Sequence, residues 1–213
     1  MKLTWYGHSC FMLESADGSI VFDPYSPGSV PGLTLPPLTA DEVICSHGHG
    51  DHNYTAGVKR SGRTTSFSVL RIDCFHDEVQ GLKRGKNHIT AVDAENMRVV
   101  HLGDLGHMLS PEQLEKLGSV DVLLIPVGGH YTIVYRRHGL IPAAADAAQA
   151  YALAGAIKPR ITVPMHYRGA GFGYDVISTV DDFAALSENV KRLDGSVLEI
   201  TGREPSGTVI LRC

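Results

Sequence analysis

The sequence predicts an α/β fold of four layers, αββα, in which two sheets pack face to face and helices cover their outer sides. Its 213 residues are 43% hydrophobic and 20% charged, which is typical of a globular chain with a substantial core. Short apolar segments occur in an early run and a late run, with helical segments between and after them. Because no repeat or linker divides the chain, we expect one domain over residues 1–213.

The early run of strands begins as an antiparallel meander. Leu3–Tyr6, Ser9–Glu14 and Ser19–Phe22 are strand candidates, and Asp17-Gly18 is typical of the turn before the third strand. Further strands are predicted at Glu42–Cys45, Thr65–Ile72, Arg98–Leu102, Val120–Val127, Arg160–Val163, Val197–Ile200 and Thr208–Leu211.

Helices are predicted at Tyr54–Arg60, Pro111–Leu117, Ala143–Ile157 and Val180–Arg192. Ser110 before Pro111 supplies an N-cap and a proline at the first helical position. The Ala-rich third segment is a good helix former with one apolar stripe.

A proline-rich segment, residues 24–40, contains five of the eleven prolines of the chain. Proline removes backbone donors, so this segment is neither a helix nor a central strand. A loop of this length in a compact domain is often a lid or a binding loop.

Composition excludes several classes of protein. The net charge of −4 argues against binding to a nucleic-acid duplex, which needs a basic face. The four cysteines form no CxxC pair, so neither a disulfide framework nor a thiolate zinc site is indicated. No apolar stretch approaches the roughly 20 residues that span a bilayer, and we expect a cytoplasmic protein without a membrane partner.

Four potential metal ligands fall within six residues directly after an apolar strand, in His47-Gly48-His49-Gly50-Asp51-His52. Two histidines separated by one residue project to the same side of an extended segment, so both can reach one ion. Asp51 and His52 are expected one turn later, at the start of a helix, facing a second ion. A polar turn or a capped helix start could also contain such residues, but this density of ligands indicates a metal site.

The cluster resembles the HxHxDH signature of the metallo-β-lactamase superfamily. A narrower resemblance, to small metal-dependent hydrolases related to L-ascorbate-6-phosphate lactonases, covers the chain from Leu3 to about Tyr167. The segments that carry this narrower likeness are Tyr6–Phe11, Phe75–Glu78 with Arg84–Asn87, His101–His107, and Pro164–Tyr167.

The resemblance implies a complete ligand set and a metallo-β-lactamase-like sandwich. His47, His49 and His76 would hold the first metal, whereas Asp51, His52 and His166 would hold the second. Asp104 would bridge the two ions, and Asp23 would support the site. His8, His107 and Arg168 are further candidates for supporting the ligands or contacting the substrate.

Such a site predicts a hydrolase. Two divalent ions, zinc first and manganese or iron as alternatives, can share a water and generate a bridging hydroxide near neutral pH. This hydroxide would attack a small ester, lactone, amide or phosphoester, with Asp51 and Asp104 as the catalytic carboxylates.

Two other functions remain open in the sequence. One is a non-hydrolytic oxidoreductase of the same fold that handles iron or sulfur, and the other is a metal-stabilised binding or regulatory module without turnover.

If two of a set of cationic side chains face the metals, they favour a small anionic substrate; the alternative is ordinary surface charge. The cationic side chains are those of Lys83, Arg84, Lys86, Arg168 and the Arg136–His138 stretch. The segment Ile133–Pro142 mixes aromatic, basic and apolar residues, and would cover the site or join subunits of a homo-oligomer.

Overall fold

The computed structural model describes residues 1–129 and 146–213, together with the backbone of residues 131–132 and 141–142. Most of the predicted insertion Ile133–Pro142, with its Arg136–His138 stretch, therefore lies outside the described residues. The strands, numbered along the chain, are β1 (Lys2–Trp5), β2 (Phe11–Ser15), β3 (Gly18–Phe22), β4 (Leu38–Ala40), β5 (Glu42–Ile44), β6 (Val58–Arg60), β7 (Ser68–Phe75), β8 (Lys86–Ala94), β9 (Met97–His101), β10 (Val122–Pro126), β11 (Tyr131–Thr132), β12 (Ile141–Pro142), β13 (Ile161–Met165), β14 (Val190–Arg192), β15 (Val197–Glu199) and β16 (Gly207–Ile210). The helices are α1 (Pro111–Leu117), α2 (Ala147–Ile157) and α3 (Val180–Leu186).

Two large sheets organise the molecule. The first has the order β15-β1-β2-β3-β5, and β1 to β3 form the predicted antiparallel meander. The second has the order β14-β16-β13-β10-β9-β8-β7, with parallel pairs at its centre and antiparallel pairs at the β7 side. The predicted α/β sandwich of two facing sheets is confirmed.

Successive side chains of a strand point to opposite faces of the sheet, and one face of the first sheet packs into a core that it shares with the second sheet. Leu13 and Phe22 belong to the large buried cluster that also contains Leu123 and Val163 of the second sheet. The core therefore lies between the two sheets.

The outer faces of the sheets are covered differently. Helix α2 packs against β10 of the second sheet and against α3. Met12 and Val21, on the outer face of the first sheet, pack instead with Tyr25, Val30 and other residues of the proline-rich segment and its neighbours. This segment thus forms a cover layer for the first sheet, and its end is the short strand β4.

The predicted helix Tyr54–Arg60 is wrong. One 3-10 turn, Thr55–Gly57, precedes β6, which pairs with β4 in a parallel two-stranded sheet. Asp51 and His52 consequently lie in a turn and not at the start of a helix. Tertiary strand pairing satisfies the backbone of this segment better than a short isolated helix would.

The predicted helix Val180–Arg192 is too long. Helix α3 ends at Leu186, and the Ser187 hydroxyl donates to the carbonyl of Phe183. Asn189 then adopts a left-handed conformation, with φ of 51°, and the chain continues as β14 beside β16.

The other predicted helices occur, with their capping residues in place. Ser110 begins α1 through a capping box with Gln113. Asp146 begins α2 in the same way with Gln149, and residues 143–145 of the predicted helix lie outside the described part of the chain. Strand β8 was not predicted.

None of the described helices combines the length and the apolar character that crossing a bilayer requires.

Candidate metal centre

The predicted ligands follow strands that end at one edge of the sandwich. His47 follows β5 closely, His76 follows β7 directly, Asp104 comes three residues after β9, and His166 follows β13. Side chains that are far apart in the chain therefore meet where the loops of the two sheets converge.

Among the described residues, the ligand atoms gather in three groups, in each of which they all lie within 4.8 Å of one another. One of the three joins Asp23 to His47 and His52, and the other two divide six of the predicted metal ligands between them. One group contains His47, His49 and His76, which are the residues predicted for the first metal. The Nε2 of His47 and the Nδ1 of His49 are 3.0 Å apart, close to the separation of about 3.3 Å between two nitrogens on a tetrahedral zinc.

The second group contains Asp51, His52 and His166, the residues predicted for the second metal, and also His8. The Nε2 of His8 lies 3.3 Å from Oδ2 of Asp51, and the same carboxylate oxygen lies 3.8 Å from Nε2 of His52. His8 was predicted only as a supporting or substrate-contacting residue.

Asp104 lies between the two groups. Its Oδ2 is 3.1 Å from Nε2 of His76 and 3.1 Å from Nε2 of His166. The Nε2 of His52 is 3.3 Å away, and that of His47 is 4.0 Å away. One carboxylate oxygen therefore reaches histidines of both groups.

The chemistry of this centre fits a divalent metal. Asp104 Oδ1, His52 Nε2 and His166 Nδ1 are buried and make no hydrogen bond to any described group. Buried polar atoms are nearly always hydrogen-bonded, so such a concentration of unsatisfied atoms requires an explanation. A bound metal ion explains these unsatisfied atoms, because zinc, manganese and iron bind nitrogen and carboxylate ligands through their free lone pairs.

Asp23, predicted as a residue that supports the site, contacts the cluster through Ser46 and His52. Its carboxylate accepts hydrogen bonds from the amide of Ser46 at 2.6 Å and from the Ser46 hydroxyl at 2.5 Å. It also contacts His52 Nδ1 at 2.8 Å. A carboxylate on Nδ1 orients the ring and leaves Nε2 free for a metal.

A buried clamp holds the turn that carries Asp104. Asn87 accepts the amide hydrogen of Asp104 at 3.1 Å and donates to the carbonyl of Leu102 at 2.8 Å. His101 accepts the amide hydrogen of Gly103 through Nδ1 at 3.0 Å. Gly103 has a φ of 58°, and a Cβ there would meet Asn87 Oδ1 at 2.3 Å, so only glycine fits the turn.

The ionisation states follow from burial and from the surrounding charges. Burial alone would raise the pKa of Asp104, but His166, His52 and His76 hold that pKa well below its usual range. Burial lowers the pKa of His47 to about 3, so its imidazole is neutral and able to bind a metal. Burial would also lower the pKa of His52, but Asp104 and Asp23 raise it well above normal.

A cavity of about 330 Å³ opens onto the centre. Its lining residues are His49, Asp51, His76, Arg84, Asp104, His166 and Tyr174. Of the predicted cationic residues that the structure describes, Arg84 is the one that lines the cavity.

The loop that carries Arg84 is organised by Asp77. The Asp77 carboxylate accepts hydrogen bonds from four backbone amides, at distances of 2.8–3.0 Å, and these also lower its pKa against the opposing effect of burial. The donors are Val79, Gly81, Lys83 and Arg84.

The segment Gly169–Tyr174 follows His166 closely in the chain and borders the metal centre. Phe172 is anchored against Trp5 and Tyr167, and the amide of Gly173 donates to the carbonyl of Pro31. The loop therefore forms a fixed wall beside the proline-rich segment. Its tyrosine, Tyr174, contacts Asp51 Oδ2 at 3.0 Å and Ser29 O at 2.5 Å.

Two predicted supporting residues lie outside the cavity. His107 accepts the amide hydrogen of Phe75 through Nε2 at 3.1 Å, so it supports the end of β7. Arg168 does not line the cavity, and its amide donates to Ser178. Sequence reasoning missed the roles of Ser46, Asn87, His101 and Tyr174, because no spacing rule shows which way a side chain after a strand end will turn.

Comparison with known proteins identifies the family. Residues 2–166 match the family described as Beta-lactamase superfamily domain. A UPF0173 metal-dependent hydrolase of Archaeoglobus fulgidus is 29% identical over 206 residues, which covers 78% of this chain and 83% of the relative.

Solved structures agree with this family. A candidate Zn-dependent hydrolase of the metallo-β-lactamase superfamily from Thermotoga maritima is 31% identical, with a TM-score of 0.76, covering 99% of this chain and 97% of the other. A metallo hydrolase from Ignicoccus hospitalis, 19% identical with a TM-score of 0.63, covers 94% of this chain and 99% of the other and shares the fold. The narrower resemblance to L-ascorbate-6-phosphate lactonases stays a prediction. The chain belongs to the metallo-β-lactamase superfamily and is a metal-dependent hydrolase.

Proposed function

We propose that this enzyme hydrolyses a small anionic ester, lactone, amide or phosphoester with two divalent ions, zinc first. His47, His49 and His76 hold the first ion, and Asp51, His52 and His166 hold the second. Asp104 is shared between them.

The position of Asp104 carries this proposal. Its Oδ2 lies 3.1 Å from Nε2 of His76 in one group and 3.1 Å from Nε2 of His166 in the other. A single ion would need only one group of three or four ligands, whereas two groups joined by one carboxylate suit a pair of ions.

The residues of the cavity supply the rest of the chemistry. Bound divalent ions act as Lewis acids and make water a nucleophile at neutral pH. The described residues that line the cavity include no serine or cysteine, which favours water as the nucleophile. Asp104 stays anionic, because the surrounding histidines hold its pKa well below the usual range.

Arg84 favours a substrate with a carboxylate or a phosphate. It lines the cavity with the metal ligands, on a loop held by four backbone hydrogen bonds to Asp77. A guanidinium on an ordered loop binds such groups with two parallel hydrogen bonds.

Metal analysis and a substrate panel test the proposal. The purified protein, wild type and Asp104→Ala, is assayed with zinc or manganese on phosphodiesters, lactones, amides and acyl esters. We expect two ions per chain in the wild type, and at least a hundred-fold loss of kcat/KM in the variant, which lacks the shared ligand. Asp73→Asn, at a carboxylate that is 89% exposed, is the matched control and should retain activity.

Full activity of Asp104→Ala would overturn the assignment of this residue. Redox-active iron in a protein that hydrolyses none of these substrates would favour the oxidoreductase alternative. Arg84→Ala should raise KM for anionic substrates by about 10-fold or more, and Lys83→Ala, beside it on the loop, should not.

A further inference from the structure

We propose that His8 is an additional ligand of the second metal ion, which extends its set to His8, Asp51, His52, His166 and Asp104. The inference rests on the proposed function, because it concerns the second ion of that site. None of the sequence patterns assigns this role to His8.

The His8 side chain is fully buried and unsatisfied. Its exposed fraction is 0%, and neither Nδ1 nor Nε2 makes a hydrogen bond to a described group. Burying a polar atom without a hydrogen-bond partner costs free energy, because the atom loses its bonds to water. An ion on Nε2 would satisfy one of these two atoms.

The position of the ring fits coordination. The Nε2 of His8 lies 3.3 Å from Asp51 Oδ2, and its ligand atom is within 4.8 Å of those of Asp51, His52 and His166. The His8 ring centroid is 4.1 Å from that of His166 and 5.0 Å from that of His52. Three imidazoles and a carboxylate therefore surround one point.

The backbone holds His8 in this position at an energetic cost. His8 and His166 both have a φ of 52°, and the amide of His166 donates to the carbonyl of His8 at 3.1 Å. The indole of Trp5 donates to the same carbonyl at 3.0 Å. A non-glycine residue in this region is strained and persists only where the surroundings require it, often at a functional site.

Two other roles fit the geometry less well. Contact with the substrate is disfavoured, because His8 has no exposed side-chain surface and does not line the cavity. Orientation of Asp51 alone is the weaker role, because Tyr174 already contacts the same carboxylate oxygen at 3.0 Å, closer than the 3.3 Å approach of His8.

Cobalt-loaded protein provides the test. In the NMR spectrum of Co²⁺-loaded wild type, each coordinated histidine whose second ring nitrogen carries a proton gives one strongly shifted exchangeable signal. We expect His8→Gln to lose one such signal and to bind the second ion at least 10-fold more weakly in a cobalt titration. His88→Gln, at a histidine whose ring pairs with the exposed Asp73, is the control and should change neither measurement.

A second variant distinguishes the loss of a metal ligand from misfolding of the protein. His8→Gly keeps a residue that tolerates a φ of 52° and leaves a space the size of an imidazole ring. We expect added free imidazole to restore its affinity for the second cobalt ion.

The outcomes are distinct. An unchanged number of shifted signals in His8→Gln overturns the inference, even if cobalt affinity falls, because His8 would then act only through Asp51. Failure of imidazole to restore binding in a folded His8→Gly would also count against coordination. If the wild type binds only one ion, the two-ion function fails, and the inference about the second ion fails with it.

Discussion

Three residues of the metal centre, His8, Asp23 and His166, adopt left-handed backbone conformations, with φ of 52°, 43° and 52°. Such conformations cost about 1–3 kcal/mol each outside glycine, and they cluster at functional sites. Each of these residues directs a side chain into the cluster, so the local strain is offset only in the assembled site.

The charge state of single histidines predicts how the metal-free protein responds to acid. Burial lowers the pKa of His8 to about 4 and that of His47 to about 3, against about 6.5 in the unfolded chain. Between pH 6.5 and about 4, these histidines take up protons in the unfolded state but stay neutral in the folded state. The free energy of unfolding therefore falls as the pH is lowered through this range, and their full contribution to stability is present only above pH 6.5.

We therefore expect His8→Gln to flatten the dependence of stability on pH. Between pH 7 and pH 5, the metal-free wild type should lose about 1–2 kcal/mol more of its free energy of unfolding than the variant. Denaturant titrations in the presence of a chelator measure this difference. If the free energy of unfolding changes with pH equally in the two proteins, His8 is not buried in its neutral form.

Asp23 should determine how tightly the metals bind. Asp23→Asn keeps the shape of the side chain but removes the charge opposite His52, so we expect metal affinity to fall about 10–100-fold. Competition with a chromogenic chelator provides the measurement, and Asp73→Asn serves as the control. Wild-type affinity in Asp23→Asn would contradict the supporting role.

At the scale of elements, the site depends on how β8 and β9 hold the turn that carries Asp104. Asn87, in β8, is fully buried and bonds to both Leu102 and Asp104 across the strand pair. The turn is thus positioned by a neighbouring strand and not by its own sequence.

Asn87→Ala should loosen this turn. It leaves the Asp104 amide and the Leu102 carbonyl without their partner, and we expect a loss of about 2–4 kcal/mol in the free energy of unfolding. Metal affinity should fall as well. Thermal melts and metal titrations measure both effects, with Asn53→Ala, at an exposed position, as the control. A variant with wild-type stability and intact metal binding would show that Asn87 does not hold this turn in place.

Elements with strong local signals could be predicted from the sequence. The capping box before α1 and the apolar strands of the core were predictable, because local chemistry and burial agree there. Strand β8 was missed, because its start, Lys86-Asn87-His88, is polar and follows a glycine. The segment Val58–Arg60 was misassigned, because its structure depends on pairing with β4, distant in the chain.

The same distinction applies to the candidate site. The ligand cluster was predictable from one dense motif and from strand ends, and the structure brings the seven predicted ligands together. The turn of His8 into this cluster was not predictable, because it depends on a left-handed backbone conformation and on contacts with His166.

At the scale of the whole molecule, the metal centre couples catalysis to stability. Ligands contributed by both sheets converge on it, so ions that bind only the folded state should stabilise the entire sandwich. The buried atoms without hydrogen bonds imply that the metal-free protein is intrinsically weakened at this point.

Removal of metal should therefore lower Tm in the wild type. At ion concentrations near a thousand times Kd, binding contributes about 4 kcal/mol, which a chelator would remove and added zinc would restore. Asp104→Ala should show a much smaller difference in Tm between the two conditions. Ser110→Ala, which removes the cap of α1, should lower Tm equally with and without metal, and calorimetry distinguishes the two patterns.

The pairing of β15 with β1 has a consequence for how the protein acquires its structure. Leu3 lies opposite Leu198, so the outer edge of β1 is paired only after β15, far later in the chain, has been made. Contacts this distant in sequence form slowly, since the chain must close a very large loop before it gains their energy. Completion of the first sheet should thus follow the synthesis of β15.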